Sequence, residues 1–209
     1  MEDWRIINGA AECQTTGGFR NIQLLTHQLQ GKPGNFTLSV DVQQVEVRKI
    51  DAGCGFQLGV KSDLNEYRSN CFARNGIRAG VIGQVAVLGK RRLPLDGMNL
   101  KQGVRIELKG QSVQQGFKLV LTVISSAGEI LGQLENRFPL KSVIGNICLV
   151  NNYDSSLKKG QGARYRFKNW IAEGNALSEN AENQFGPLLW TMYTLSDSRS
   201  DEGFVMKLT

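Results

Sequence analysis

The sequence is poor in the residues that most enzyme sites need. It has one histidine, His27, in 209 residues. That excludes multi-histidine metal sites and leaves little room for a Ser-His-Asp or Cys-His pair. His27 itself lies in the strand pattern "LLTHQL", where a packed or edge histidine is the economical reading. Its four cysteines (Cys13, Cys54, Cys71, Cys148) contain no CxxC pair, which removes zinc-ribbon and thioredoxin readings. Cys54 and Cys148 fall inside apolar strand patterns, where a free thiol packs as a small hydrophobe. In an exported chain a bridge such as Cys54–Cys71 is open, since four cysteines allow three pairings. No phosphate loop is present, nor a GxGxxG before a helix.

Long apolar runs are also missing. No stretch of about 18 apolar residues exists to span a membrane as a helix. The opening "MEDWRIINGA" lacks a basic region followed by an apolar core, so it is no signal peptide. The expectation is a cytoplasmic protein, or an exported one whose signal lies upstream. Long helical patterns are absent, and no repeat points to a propeller or solenoid. Glycoside hydrolysis needs two carboxylates facing one cleft, and no close acidic pair occurs at strand spacing. Asp41 and Glu46 share a segment at an odd separation, and Glu107 stands alone. A hydrolase or lyase on a β-sandwich therefore remains the alternative function rather than the first.

Charge is modestly basic, +6 overall with a pI near 9.3. The basic residues come in small groups: "KRR" at 90–92, "KK" at 158–159, and "RYRFK" at 164–168. A nucleic-acid site wants a concentrated stripe with stacking aromatics, so no nucleic-acid partner is expected.

What the sequence has in abundance is alternation of period two. "WRIINGAAEC" reads as a hairpin on the turn dipeptide Asn8-Gly9. "NFTLSVDVQQVEV" puts Phe36, Leu38, Val40 and Val42 on one face. Val45 and Val47 fall out of phase, which predicts a bulge near Gln43-Gln44. "GCGFQLGV" alternates Cys54, Phe56, Leu58 and Val60 with a face nearly bare of side chains. Glycine there marks close approach of a backbone or a ligand, or curvature. "IRAGVIGQVAVLG" is a hairpin around Gly83. Further strands complete about a dozen, with Gly, Asn and Asp between them, the pattern of an all-β sandwich or barrel.

Two polar stretches stand out. "NEYRSNCFARNG", 65–76, carries Tyr67, Arg68, Asn70, Arg74 and Asn75 between strong strands. Planar amides, arginine and an aromatic beside an apolar platform are what sugar recognition uses. The candidate ligand-binding residues are Tyr67, Arg68, Asn70, Asn75 and Arg78, with Gln57 as a floor contact. The competing reading is a connecting loop with solvated side chains. "NNYDSS", 151–156, offers Asn151, Asn152 and Asp154 as oxygen donors for Ca²⁺. With one carboxylate against the six to eight oxygens Ca²⁺ takes, an ordinary turn is the stronger reading. No cofactor is expected.

The segments "DWRIINGAAEC…GGFRNIQLLTHQL", "GFQLGVKSDLNEYRSNCFARNGIRAGV", "YRFKNWIAEG" and "FGPLLWTMYTLS" together resemble the N-terminal part of large bacterial proteins of the alkaline phosphatase D-like metallophosphatase family. The resemblance implies a concanavalin A-like jelly roll over 1–172: two antiparallel sheets, similar to laminin-G and lectin modules. It implies a linker over 173–185 and a hairpin over 186–209 that begins a following β module. Leu188, Trp190, Met192 and Tyr193 are expected to bury that hairpin. The family's metal ligands belong to the later domain and match no position here. The expected function is a non-catalytic carbohydrate-binding or accessory domain. Its partner would be a glycan, a polysaccharide or its own downstream catalytic domain.

Overall fold

The computed structural model describes residues 3–24, 26–64, 67–179, 189–193 and 204–207, with backbone alone for 67–68, 189–193 and 204–207. The alternation read from the sequence becomes two large antiparallel sheets packed face to face. In the first, the order is β1 (Trp4–Ile7), β2 (Ala10–Cys13), β14 (Ala163–Glu173), β5 (Asn35–Val47), β10 (Val104–Val113), β11 (Gly116–Ser125) and β12 (Ile130–Pro139). In the second it is β17 (Phe204–Lys207), β16 (Leu189–Tyr193), β3 (Arg20–Leu24), β13 (Asn146–Asn151), β6 (Cys54–Val60), β7 (Ile77–Ile82), β8 (Val85–Leu88) and β9 (Arg91–Pro94). A small third sheet pairs β4 (His27–Leu29) with β15 (Leu177–Glu179). Neighbours far apart in sequence, such as β5 beside β14 and β3 beside β13, give the crossed connections of a jelly roll. Two four-residue helical turns, α1 (Tyr67–Asn70) and α2 (Leu140–Val143), complete the described elements. No helix among the described residues is long and apolar enough to cross a membrane.

The core lies between the sheets because each strand sends every second side chain inward. On the first sheet, Leu38 sits opposite Leu108 and Val40 opposite Ile106. Leu108 and Ile106 in turn face Leu121 and Val123. On the second, Leu149 lies between Ile22 and Phe56, and Phe56 faces Ala79. All ten are fully buried, and each large side chain among them contributes about 1.5–3 kcal/mol of transfer free energy. The outer face of the first sheet is charged. There Arg105 reaches Asp41 directly across the strand and Ser39 on the diagonal, at 3.2 and 2.7 Å.

Both expected hairpins form. β1 and β2 turn on Asn8 and Gly9, each with positive φ, and β7 and β8 turn at Gly83 and Gln84. The bulge in β5 is present but shifted. Glu46 faces Arg164 and Gln44 faces Tyr165, so Val45 is the extra residue. The expected reversal of phase does not occur. Gln44 stays on the inward side, where its amide donates to Asp51 at 2.9 Å, and Val45 and Val47 are exposed. A polar partner beside Tyr165 holds the glutamine in place of the valine.

Toward the C-terminus, β14 runs on through Glu173, and β15 occupies Leu177–Glu179 where a linker was expected; residues 180–188 lie outside the described residues. The backbone of β16 pairs with β3, Trp190 opposite Leu24 and Met192 opposite Ile22, and β17 pairs with β16. The hairpin thus extends the second sheet. Leu188 and the side chains of Trp190, Met192 and Tyr193 lie outside the described residues.

All four cysteines are free and buried. Cys54 packs in the core between the sheets. Cys71 sits on a segment laid over the outer face of the second sheet, where its carbonyl accepts from Asn21. A Cys54–Cys71 bridge would have to pass through the sheet.

Candidate functional site

The glycine-lined face of β6 is covered by the chain itself. A Cβ built on Gly55 would meet Gly80 Cα at 2.7 Å and the Tyr153 hydroxyl at 2.8 Å. The Tyr153 ring lies across these glycines, and its hydroxyl donates to the Phe56 carbonyl at 2.9 Å. Phe19, Val60, Cys148 and Val150 pack with it into a second, smaller core. Close backbone approach, rather than an open ligand surface, is what the glycines serve there.

Tyr153 in turn positions Arg78. That residue stands on β7 directly opposite Gln57. Its Nη2 donates to the Tyr153 carbonyl at 3.0 Å, and its guanidinium carbon sits 5.5 Å from the Tyr153 ring centroid. Gln57 is buried, and its Nε2 donates to the carbonyls of Arg74 and Asn75 at 3.0 and 2.6 Å. It therefore fixes the backbone of the loop entering β7, while its Oε1 has no hydrogen-bond partner. Asn75 does the same from the other side. Its amide accepts from Lys61 N at 3.0 Å and donates to Lys61 O at 2.7 Å, standing in for a strand neighbour.

These contacts shape one wall of a cleft of about 550 Å³, lined by Arg74, Asn75 and Arg78 on one side. The two-residue turn Gly89-Lys90 between β8 and β9, with Arg92, forms the second wall, and Asn136 and Phe138 of β12 the third. The cleft thus lies at the edge where the two sheets meet. Gly89 has φ +61°, and a Cβ there would meet the Phe138 ring at 2.8 Å, so the turn and the aromatic wall require each other. Arg92 Nη1 donates to the carbonyls of Gly89 and Arg91 at 2.9 and 3.0 Å, which stiffens the turn. Arg74 and Lys90 are exposed, with no acidic partner among the described residues. No carboxylate lines the cleft.

Of the expected ligand residues, Asn75 and Arg78 come together at this cleft, with Gln57 beneath. Asn70 does not join them. It is fully buried, its Oδ1 accepts from Ser62 N at 2.7 Å, and its Nδ2 donates to Asn146 at 3.4 Å. An amide spent in this way has no surface to offer a ligand. The backbone of Tyr67 and Arg68 forms α1, and their side chains lie outside the described residues. Sequence reasoning missed Lys90, Arg92, Asn136 and Phe138. The "KRR" cluster was a usable signal for the first two, but nothing in the sequence ties it to β12.

The oxygen-rich loop turns its two asparagines inward. Asn151 Oδ1 accepts from Tyr165 N at 2.9 Å. Asn152 grips Gly17 O and Ala163 O through Nδ2, at 2.9 and 2.8 Å, and Ala163 N through Oδ1 at 3.0 Å. Asp154 is exposed and caps Ser156. The Ser156 contacts hold its carboxyl below the usual range, with a smaller pull from Arg78. Among the described residues no group of three His, Cys, Asp or Glu could hold a metal.

A second groove, of about 520 Å³, crosses the outer face of the first sheet beside Asp41, Gln43, Arg105, Arg166 and Lys168. Most of its charges are already matched. Arg105 pairs with Asp41 at 3.2 Å, and Glu12 takes both Arg164 at 3.0 Å and Arg166 at 2.6 Å. A ligand there would compete with ion pairs already made, whereas the edge cleft presents cations without acidic partners among the described residues.

No family model matches the chain, and no curated protein matches it. Solved structures do. The peanut lectin in complex with a nine-residue peptide superposes with a TM-score of 0.53 at 8% identity, over 84% of this chain and 90% of the lectin. The seed lectin of Lotus tetragonolobus gives 0.51 at 11% identity, over 86% and 93%. At such identities the likeness establishes the fold, the concanavalin A-like jelly roll of the legume lectins.

Proposed function

We propose that this chain is a non-catalytic carbohydrate-binding module and that its ligand lies in the edge cleft. The observation that carries the reading is the cleft itself. On a lectin-type sandwich, a pocket of about 550 Å³ sets the planar amides of Asn75 and Asn136 beside the Phe138 ring and four cations, two of them fixed. That volume falls within the roughly 300–1,000 Å³ of small-ligand sites. Amides and guanidinium groups bond ring hydroxyls with defined direction, and an aromatic face packs the apolar side of a pyranose. The lining supports binding rather than cleavage. Hydrolysis of a glycosidic bond uses a carboxylic acid and a second carboxylate about 5–10 Å apart, and the cleft holds neither.

The resemblance to alkaline phosphatase D-like proteins extends this reading. The module would hold a glycan or polymer near a metallophosphatase domain downstream. That placement rests on the sequence resemblance alone. The test is a glycan and polysaccharide array, run with and without Ca²⁺, scoring both retained sugar and released fragments. Specific retention without fragments, indifferent to Ca²⁺ and weakened by Arg78→Ala, is expected. Fragment release would replace the binding module with an enzyme. Retention of no sugar would leave only the scaffolding role.

A further inference from the structure

We propose, building on the carbohydrate-binding reading, that the edge cleft selects anionic glycans, chains bearing uronate or sulfate groups, over neutral ones. Arg74, Arg78, Lys90 and Arg92 line one cleft and no Asp or Glu lines it. Several other arginines are matched by carboxylates, as Arg20 is by Asp3, Arg48 by Glu46 and Arg166 by Glu12. Arg5, Arg91 and Arg137 also lack such a partner among the described residues but line no part of this cleft; what sets the cleft apart is that four cations meet there without a carboxylate. The carboxylate that senses Arg78 is that of Asp154, which lies outside the lining and is turned to Ser156.

Two of the four cations are fixed in place. Arg78 is held by the Tyr153 carbonyl and stacked on its ring, and Arg92 is held by two carbonyls of its own turn. A guanidinium held along one edge keeps its other donors for a planar anion, the geometry in which arginine binds carboxylate and sulfate well. Arg74 and Lys90 stand exposed at the rim, where they attract an anion from solution. A neutral sugar in the same cleft would cover these cations and return no opposite charge, so desolvation works against it. The charge set thus favours one glycan class and penalises the other.

The test is binding of the whole chain to four immobilised polymers at 50 and 300 mM salt: a sulfated glycosaminoglycan, a polyuronate, neutral dextran and double-stranded DNA. Binding to the sulfated chain, the polyuronate or both, falling at least about fivefold between the two salts, with dextran bound at least tenfold more weakly, is expected. Which of the first two wins distinguishes sulfate from carboxylate. The double variant Arg74→Gln/Lys90→Gln should lose about fivefold or more. Arg74→Lys/Lys90→Arg should stay within about twofold, since each exposed pair contributes modestly. Equal melting temperatures would show that both variants fold. Dextran bound as tightly as the anionic chains, without salt dependence, would overturn the anionic selectivity and leave the carbohydrate reading standing. DNA bound as well as either glycan would overturn it as general polyanion adhesion. No binding to any polymer would remove the carbohydrate reading itself.

Discussion

Replacing Asn152 with alanine tests whether the loop after β13 is an ordinary surface turn or a buried clasp. If the loop were an ordinary surface turn, an alanine would cost a few tenths of a kcal/mol. In the structure Asn152 is fully buried and joins three chain segments through bonds to Gly17 O, Ala163 O and Ala163 N. Three buried bonds at about 1 kcal/mol each come to about 3 kcal/mol. Its φ of +60° suits asparagine and adds about 1 kcal/mol for alanine. The expected loss is about 4 kcal/mol, a large share of the ~5–15 kcal/mol that holds a domain together. For a chain of this size that corresponds to a fall in Tm of about 8–16 °C. Asn152→Gly restores the backbone freedom without the bonds, and should recover about 1 kcal/mol of the loss. Urea unfolding followed by tryptophan fluorescence reads both variants. Asn152→Ala within about 0.5 kcal/mol of the native chain would refute the reasoning.

Four further outcomes follow from other positions. Gly55→Ala should abolish stable folding at 37 °C, because its Cβ would stand 2.7–2.8 Å from Gly80 and Tyr153 at φ +137°. Gly83→Ala, at φ +54° with nothing nearby, should lose only about 1 kcal/mol by the same unfolding assay. Burial lowers the pKa of His27 from its ordinary 6.5, and Glu179 opposes this. The unfolded chain therefore takes up the proton first as pH falls. His27 stabilises the fold fully above about pH 6.5, and that part is lost as pH drops through the lower folded value. Urea midpoints at pH 7 and pH 5 should differ less for His27→Gln than for the native chain, and an equal difference would count against the burial. The thiols should be silent to Ellman's reagent at pH 8 until the chain is unfolded, since burial pushes Cys13 up to about 12 and raises Cys54 and Cys148 as well.

The sandwich was legible because its signals are local. Alternation in "NFTLSVDV" and the Asn8-Gly9 turn depend on neighbours along the chain. The position of the β5 bulge was legible to within about two residues. Its effect on phase was not, because Gln44 stays inward through a bond to Asp51, which only the folded chain brings near. The site was legible in part. Arg78 and Asn75 are close in sequence to the polar stretch that drew notice. Phe138 comes from β12 and Lys90 from the β8–β9 turn, and only sheet order sets them beside Arg78. Asn70 shows the converse limit. Asn70 and Asn75 read alike in the sequence and both replace backbone partners in the fold; only burial shows that a ligand can reach Asn75 and not Asn70.

The central claim is that this cleft is where the glycan binds. The most direct measurement is an amide chemical-shift titration of the isotopically labelled chain with an oligosaccharide retained on the array. Perturbations confined to residues 74–78, 89–92 and 136–138 are expected, with little change at Gln43 and Lys168. Perturbations centred instead on the outer face of the first sheet, around Gln43, Arg105 and Lys168, would contradict the claim.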